Sequence, residues 1–425
     1  MITRRPLELG LLIFPVCLAA AGMAMLQLVL QAKHTDDLRL VALFGLCMLA
    51  VHAVLAFRLR SADQELLPIV ATLTALGLVA VARLEPELAP RQLQWVALGS
   101  VAAVVTALAV PRIEWLGRYR YTWLVGGLVV LGITAVFGVD PNGSNTRLWL
   151  GANGIYFQPS EITKIVAVIF FASYLAQKRT LIANAPLRVG WLTLPPLAYL
   201  APLVLMWGLS LMLLVWQRDL GVALLFYMLF ISLLYTATGR SYVGVGLLFL
   251  CLGAILSMAL FDHVQLRTRI WLNPWPFASD EGYQLVQALT AYAAGGVIGS
   301  GLGYGYPEYV PAVHTDFVLA ALGEELGLLG TMGIVGLYLA LVFRAFRIAL
   351  RATSDFSMLL AAGLGTVLGI QACIIMAGNL RLMPITGITL PFLSYGGSSI
   401  LANFVMIGLL LRISAESQPE TSADG

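Results

Sequence analysis

The sequence predicts an all-α polytopic membrane protein, and three observations carry that prediction. Of its 425 residues, 60% are hydrophobic and only 11% are charged. A soluble chain of this length would need far more charge to cover its surface. The mean hydropathy is +0.88, and apolar runs of about 20 residues, the length a bilayer-crossing helix requires, recur along the whole chain. Membrane lipid is therefore an expected partner. The net charge of +3 is small and its basic residues are scattered over short loops, so nothing supports binding to nucleic acid. Cys17, Cys47, Cys251 and Cys373 all fall inside apolar runs, without metal-ligand spacing, and read as packed thiols.

Twelve spans are expected, at about 8–31, 38–57, 66–83, 92–110, 121–139, 160–177, 191–215, 219–238, 241–261, 325–347, 357–377 and 397–412. The first run is too long for a signal peptide and lacks a small-residue cleavage site, so it reads as a retained helix. With a cytoplasmic N-terminus, the inner segments collect most of the basic residues, among them Arg4, Arg5, Arg58, Arg60, Arg118, Arg240 and Arg344. That bias places both termini in the cytoplasm. The inner arginines then read as topology signals, and the chemically unusual residues fall outside. None of the three lysines stands in a Gly-Lys-Ser/Thr context, so no P-loop is present.

Four outward segments stand out: residues 140–160 with Arg147 and Trp149, the Trp-Gln-Arg-Asp corner at 216–219, the 262–324 connection and the 379–399 loop. The long connection is too extended to be a passive link. It begins with an interfacial mixture, Arg-Ile-Trp-Leu-Asn-Pro-Trp-Pro at 269–276, and continues through an apolar stretch from Tyr283 to Ile298 that is short for a span. Gly299, Gly301, Gly303 and Gly305 follow, readable either as a hinge or as a loop whose N–H groups approach an anion. Its end packs His314, Thr315, Asp316, Glu324 and Glu325 into a few residues. Ionisable groups near membrane depth are functional candidates by default, although Thr315 or Asp316 would also serve as the cap of a helix beginning at Phe317. Glu324 and Glu325 read as opening the next span, where negative charge is favoured, with structural pairing expected. In the last loop, Pro384 and Pro391 forbid an ordinary helix, and the glycines and hydroxyls suit the wall of a polar groove.

Several strings then resemble the SEDS (shape, elongation, division and sporulation) family, which includes RodA, FtsW and SpoVE. They are Arg-Leu-Trp at 147–149, Phe-Gln-Pro-Ser-Glu-Ile-Thr-Lys at 157–164, Arg-Asp-Leu-Gly at 218–221, Gly-Tyr-Gln at 282–284, His-Thr-Asp-Phe at 314–317, Gly-Glu-Glu-Leu-Gly at 323–327, and Pro-Ile-Thr-Gly-Ile-Thr-Leu-Pro-Phe-Leu-Ser-Tyr-Gly-Gly-Ser-Ser ending at Ser399. Their order and separations agree with that family over residues 63–415. The family core has ten spans, so residues 1–62 form a two-helix N-terminal extension and 416–425 a polar cytoplasmic tail.

The resemblance implies a peptidoglycan glycosyltransferase that polymerises lipid II at the outer face of the cytoplasmic membrane beside a class B penicillin-binding protein. It also makes Asp316 the essential acidic residue. In such a reaction a sugar hydroxyl attacks an anomeric carbon whose leaving group is a lipid pyrophosphate. A carboxylate whose pKa is raised by burial suits the general base, and arginine suits the pyrophosphate. Arg147, Lys164, Arg218, Arg267, Arg269 and Arg381 are the outward-side cations available to the pyrophosphate. Of these, Arg147, Lys164, Arg218 and Arg381 are assigned to the substrate, with a Lys164–Glu161 pair as the competing role for Lys164. Asp219 is a ligand or a helix cap, and Trp149 a sugar platform or an interfacial anchor. Gln284, His314 and Thr315 lie in matching strings, while Ser394 and Ser398 shape the groove. A divalent cation, Mg or Mn, is compatible with Asp316 and phosphate oxygens, but no ligand cluster requires it. Two departures from the family pattern are Ala312, where many members have Glu, and Arg218, where many have Pro. Competing classes are a lipid II flippase or transporter and a non-catalytic scaffold of the penicillin-binding protein.

Overall fold

In the computed structural model, residues 5–30, 37–110, 112–140, 147–152, 155–184, 187–189, 192–194, 197–238 and 243–417 are described. Arg4, Arg240, residues 141–146 of the first unusual segment, and residues 418–425 of the expected tail lie outside them. The chain begins with α1 (Pro6–Leu30) and α2 (Asp37–Arg58), followed by α3 (Leu66–Leu84), α4 (Ala89–Ala109), α5 (Glu114–Arg118) and α6 (Arg120–Phe137). A small antiparallel hairpin, β1 (Leu150–Ala152) and β2 (Ile155–Phe157), precedes α7 (Pro159–Asn184). A second hairpin, β3 (Leu187–Val189) and β4 (Leu192–Leu194), leads into α8 (Leu197–Trp216), α9 (Leu220–Thr238) and α10 (Val243–Leu260). Then come α11 (Asp262–Leu272), α12 (Tyr283–Gly295), α13 (Val318–Arg351), α14 (Asp355–Asn379) and α15 (Gly397–Glu416).

Each expected span contains a helix, although the seventh, expected from 191, becomes helical only at Leu197, after the strand Leu192–Leu194. Among the described residues, ten of them are long and apolar enough to cross a membrane, or eleven when α10 and α11, which meet at 109°, count as one broken span. The remaining one, α8, qualifies as a shorter apolar helix over Ala201–Trp216. Helices are the only open-ended solution here, because hydrocarbon offers no partner for backbone N–H and C=O groups.

The helices α3, α7, α14 and α15 are buried over most of their length and form the centre of the bundle. The α14 helix packs against α7, α9 and α13, while α15 lies along α4. Gly408 of α15 meets the backbone of Ala103 so closely that any side chain there would collide with it, as small residues permit between membrane helices. The N-terminal pair is docked on this core, α1 along α3 and α2 along α4.

Two expectations at the long connection are corrected. The tenth span starts at Val318 rather than 325, because residues before Gly327 already form a half-helix, bent there where Gly327 adopts φ 68°. Glu324 and Glu325 therefore lie buried inside a bent helix instead of opening one. The apolar stretch from Tyr283 forms α12, which packs on that half-helix.

Candidate active site

Asp316 sits where the long connection meets α13. The capping role does not apply, since Phe317 occupies the cap position and α13 has no side-chain cap bond. Instead the segment is fastened from three sides. Gln284 of α12 donates Nε2 to the Pro311 carbonyl (2.7 Å), beside Ala312, which adopts φ 50°. Asn379, at the end of α14, donates to the Asp316 carbonyl (3.1 Å). From the last loop, the Ser394 hydroxyl donates to the Thr315 carbonyl (2.5 Å) and the Tyr395 N–H to the His314 carbonyl (2.9 Å). The half-buried carboxyl faces that loop too: a Cβ on Gly387, a residue at φ 73°, would lie 3.7 Å from Asp316 Oδ2.

Burial pushes the Asp316 carboxyl up to about 6, opposed by the neighbouring Thr315 side chain and by the charge of Arg267. Arg267 lies on α11 and donates Nη1 to the Ile385 carbonyl (3.2 Å). Its charge also acts on Asp219, buried just before α9. Desolvation raises Asp219 to about 6 as well; the Val222 N–H, Arg267 and the Gln158 side chain oppose that rise, and Glu161 adds to it. Asp219 does act as a cap, Oδ1 accepting from the Val222 N–H (3.2 Å). Burial lowers the pKa of His314, which stacks edge-on to Tyr395.

Beneath the last loop lies a buried polar chain. Lys164 donates Nζ to Glu161 (2.6 Å) and Gln371 (2.8 Å), with Asn403 at 3.5 Å. Gln371 in turn donates to the Thr389 carbonyl (2.8 Å), and the Thr389 hydroxyl donates to Ser399 (2.8 Å). Ser398 accepts from the Gln158 N–H (2.9 Å), linking the start of α7 to the loop. Lys164 is thus 2% exposed and held through the pair with Glu161. It braces the floor of the loop from inside the bundle.

The structure brings Asp316, Thr315, His314, Gln284 and Ser394 together, with Asp219 electrostatically linked through Arg267. Arg381, itself at φ 58°, donates Nε to the Trp271 carbonyl (2.8 Å) and Nη2 to the Leu272 carbonyl (2.6 Å), clasping the end of α11. Arg218, at φ 62°, is exposed. Arg147 is exposed at the mouth of the β1–β2 hairpin, and the half-buried Trp149 pairs with Val139 in an isolated bridge. Gly387 was not singled out by sequence, and Arg267 was only one of six available cations. Arg269 lies two residues further along the same helix, α11, where about 3.6 residues per turn put it on a different face from Arg267, the one whose charge acts on Asp316.

A helical bundle with a half-buried carboxylate and an exposed arginine beside an irregular, proline-bearing loop defines a multi-pass membrane protein with a polar site next to that loop. The chain belongs to the RodA, FtsW and SpoVE family: the family model described as "Cell cycle protein" matches residues 64–419. Similar curated proteins include the peptidoglycan glycosyltransferase RodA of Mycobacterium tuberculosis, 38% identical over 97% of this chain and 91% of the relative. A probable peptidoglycan glycosyltransferase FtsW of Geobacter sulfurreducens is 36% identical over 70% of this chain and 78% of its own. Among solved structures, RodA of Thermus thermophilus aligns with TM-score 0.60 at 26% identity, over 84% of this chain and 98% of that one. A chain from a structure titled for the coordination of polymerization and crosslinking by a peptidoglycan synthase complex aligns with TM-score 0.70 at 27% identity, over 84% and 98%.

Proposed function

We propose that this peptidoglycan glycosyltransferase polymerises lipid II into glycan strands at the outer face of the cytoplasmic membrane, with Asp316 as the general base. The observation that carries the reading is the Asp316 carboxyl, raised to about 6 by burial and aimed under the last loop beside the charge of Arg267. Near neutral pH such a carboxylate is ionised, yet basic enough to take a proton from an attacking sugar hydroxyl. The leaving undecaprenyl pyrophosphate departs as a stabilised anion and needs cations rather than a second acid. Arg267 stands in that role, with the exposed Arg147 and Arg218 available toward solvent. Arg381 supports the site through the backbone of α11.

The basic bias of alternate loops supports cytoplasmic termini and an extracytoplasmic Asp316. A divalent cation, Mg or Mn, would draw on Asp316 and phosphate oxygens, because no group of three His, Cys, Asp or Glu side chains among the described residues is placed to hold one. A class B penicillin-binding protein is the partner this reading expects, in keeping with the similarity to a chain from a peptidoglycan synthase complex.

The test is a gel-resolved polymerisation assay with lipid II on purified protein, with and without a class B partner and with and without chelator. Asp316→Asn is expected to abolish polymer while leaving membrane insertion and partner binding intact. Equal polymer from variant and wild type removes the base assignment. Lipid II translocation in sealed vesicles with no polymer would replace the reading with transport.

A further inference from the structure

The two N-terminal helices enter no step of the proposed chemistry, yet α1 runs from one end of the bundle to the glycine loop of the long connection. At the end away from that loop, Arg5 and Glu8 are wholly buried. Glu8 binds Arg5 Nη2 (2.6 Å) and shares a hydrogen bond with His52 Nδ1 of α2 (2.6 Å). Arg5 Nη1 also donates to the Leu59 and Ala62 carbonyls (2.8 and 2.9 Å), which lie between α2 and α3. Such a paired, multiply bonded arginine resists sliding, because any shift leaves a buried charge without its partners. Midway, Gly22 lies so close to α3 that an added Cβ would stand 2.8 Å from the Val79 methyls. At the far end, Val29 and Leu26 press on Gly303: a Cβ there would lie 3.1 Å from Val29 Cγ1 and 3.7 Å from Leu26 Cδ2.

Gly303 belongs to the loop that grips the half-helix following Asp316. The Ser300 and Gly301 N–H groups donate to the Glu324 and Glu325 carbonyls (2.9 and 3.0 Å), and the Tyr306 N–H donates to Glu324 Oε1 (2.9 Å). Arg83, at the end of α3, donates Nε to Glu325 Oε1 (2.9 Å) and Nη2 to the Gly305 carbonyl (2.9 Å). The glycines thus serve the protein's own glutamates. Gly299, Gly301 and Gly303, at φ 91°, 98° and 87°, adopt backbone that other residues rarely do. A continuous packed path leads from Val29 through Gly303 and its loop to residues 318–326 and so to Asp316.

We propose that α1 is a strut for the active site, and that Val29 and Leu26 are positioning residues that hold the glycine loop, and through it the half-helix beginning beside Asp316, in register. The inference rests on the polymerase reading for its kinetic consequence only; the contact itself is tested without activity. The half-helix is joined to the rest of α13 by a bend at Gly327, so its direction is set by what grips it. Misplacement of a reacting group by about 1 Å costs on the order of 100-fold in rate.

The experiment compares Val29→Trp, which wedges the loop away, with Leu28→Trp, which places the same bulk at a position 80% exposed, and with Val29→Ile. Hydrogen exchange of the detergent-purified full chain is followed at residues 299–306, and lipid II polymerisation is measured at several substrate concentrations. Val29→Trp is expected to accelerate exchange at the Ser300, Gly301 and Tyr306 amides at least about 10-fold while exchange in α3 and α14 stays at the wild-type rate. It is also expected to lower kcat by roughly 10-fold to 100-fold with little change in KM. Leu28→Trp and Val29→Ile are expected to match wild type in both readouts. If Val29→Trp is not recovered folded, the Leu26→Ala and Val29→Ala double variant replaces it with the same expectations. Unchanged exchange at 299–306 overturns the strut, whatever the activity. Faster exchange with unchanged kcat overturns its link to Asp316. Absence of polymer from the wild-type chain instead counts against the polymerase reading and leaves the exchange result standing.

Discussion

The Ser394 hydroxyl donates a 2.5 Å hydrogen bond to the Thr315 carbonyl, the residue directly before Asp316. The same oxygen accepts from the Leu390 N–H at 3.0 Å, so one buried side chain ties the irregular last loop to itself and to the segment that carries Asp316. Ser394→Ala removes both bonds and leaves the buried Leu390 N–H unpaired, at a cost of about 1–3 kcal/mol. Polymerisation by this variant is expected to fall mainly in kcat, with a modestly lowered melting temperature. Wild-type kcat in folded protein would detach the loop from the catalytic step.

The pH profile follows from the raised carboxyl. A base must be deprotonated to act, so kcat/KM is expected to fall as pH drops through about 6, where Asp316 takes up its proton. Because Asp219 caps α9 and has no role in the reaction, the acid limb should follow a single titration even though Asp219 is also raised to about 6. A pH–rate series at saturating and limiting lipid II measures it. The sign for stability is opposite: carboxyls raised in the folded state favour it when neutral, and that contribution is lost as pH rises through about 6.

Arg267 lowers the pKa of Asp316 by its charge. Arg267→Gln is therefore expected to move the acid limb to higher pH as well as to weaken turnover. A limb that stays in place, with turnover alone reduced, would show that Arg267 serves the substrate without tuning the base.

Lys164 and Glu161 make the sharpest test of structural against ligand roles. Removing the lysine alone, as Lys164→Met, leaves a buried carboxylate without its cation and is expected to cost roughly 3–5 kcal/mol. The double change with Glu161→Gln should recover much of that in a thermal unfolding series in detergent. Full recovery of stability with no recovery of activity would return Lys164 to the substrate.

Gly327 adopts φ 68° at the bend of α13, and an added Cβ would collide with the Gly299 backbone. Gly327→Ala is expected to destabilise by more than about 1 kcal/mol, with faster exchange confined first to the glycine loop. Uniformly unchanged exchange would separate the bend from the loop.

Much of this molecule was legible in sequence because lipid imposes a blunt code. Runs such as 66–83 and 357–377 fell within a few residues of α3 and α14, since apolar length alone decides where a helix crosses. The Asp316 segment was legible too, being an ionisable cluster in an otherwise apolar chain. The start of α13 was not, because the half-helix before Gly327 is set by packing on α12 and the glycine loop rather than by its own hydropathy. Nor was Arg381 legible as a clasp: an arginine's spacing does not reveal whether carbonyls or a ligand will meet its guanidinium.

What the sequence by itself determined, then, is the helical membrane class, the order of the apolar runs, and which residue types are available for chemistry. Hydropathy and residue identity are local properties, so they survive without a fold. Tertiary structure alone decided that Arg267 rather than Arg381 acts on Asp316, that Lys164 is paired within the bundle, and that α1 reaches the glycine loop. Those are contacts between segments far apart in the chain, and they exist only once the helices have packed.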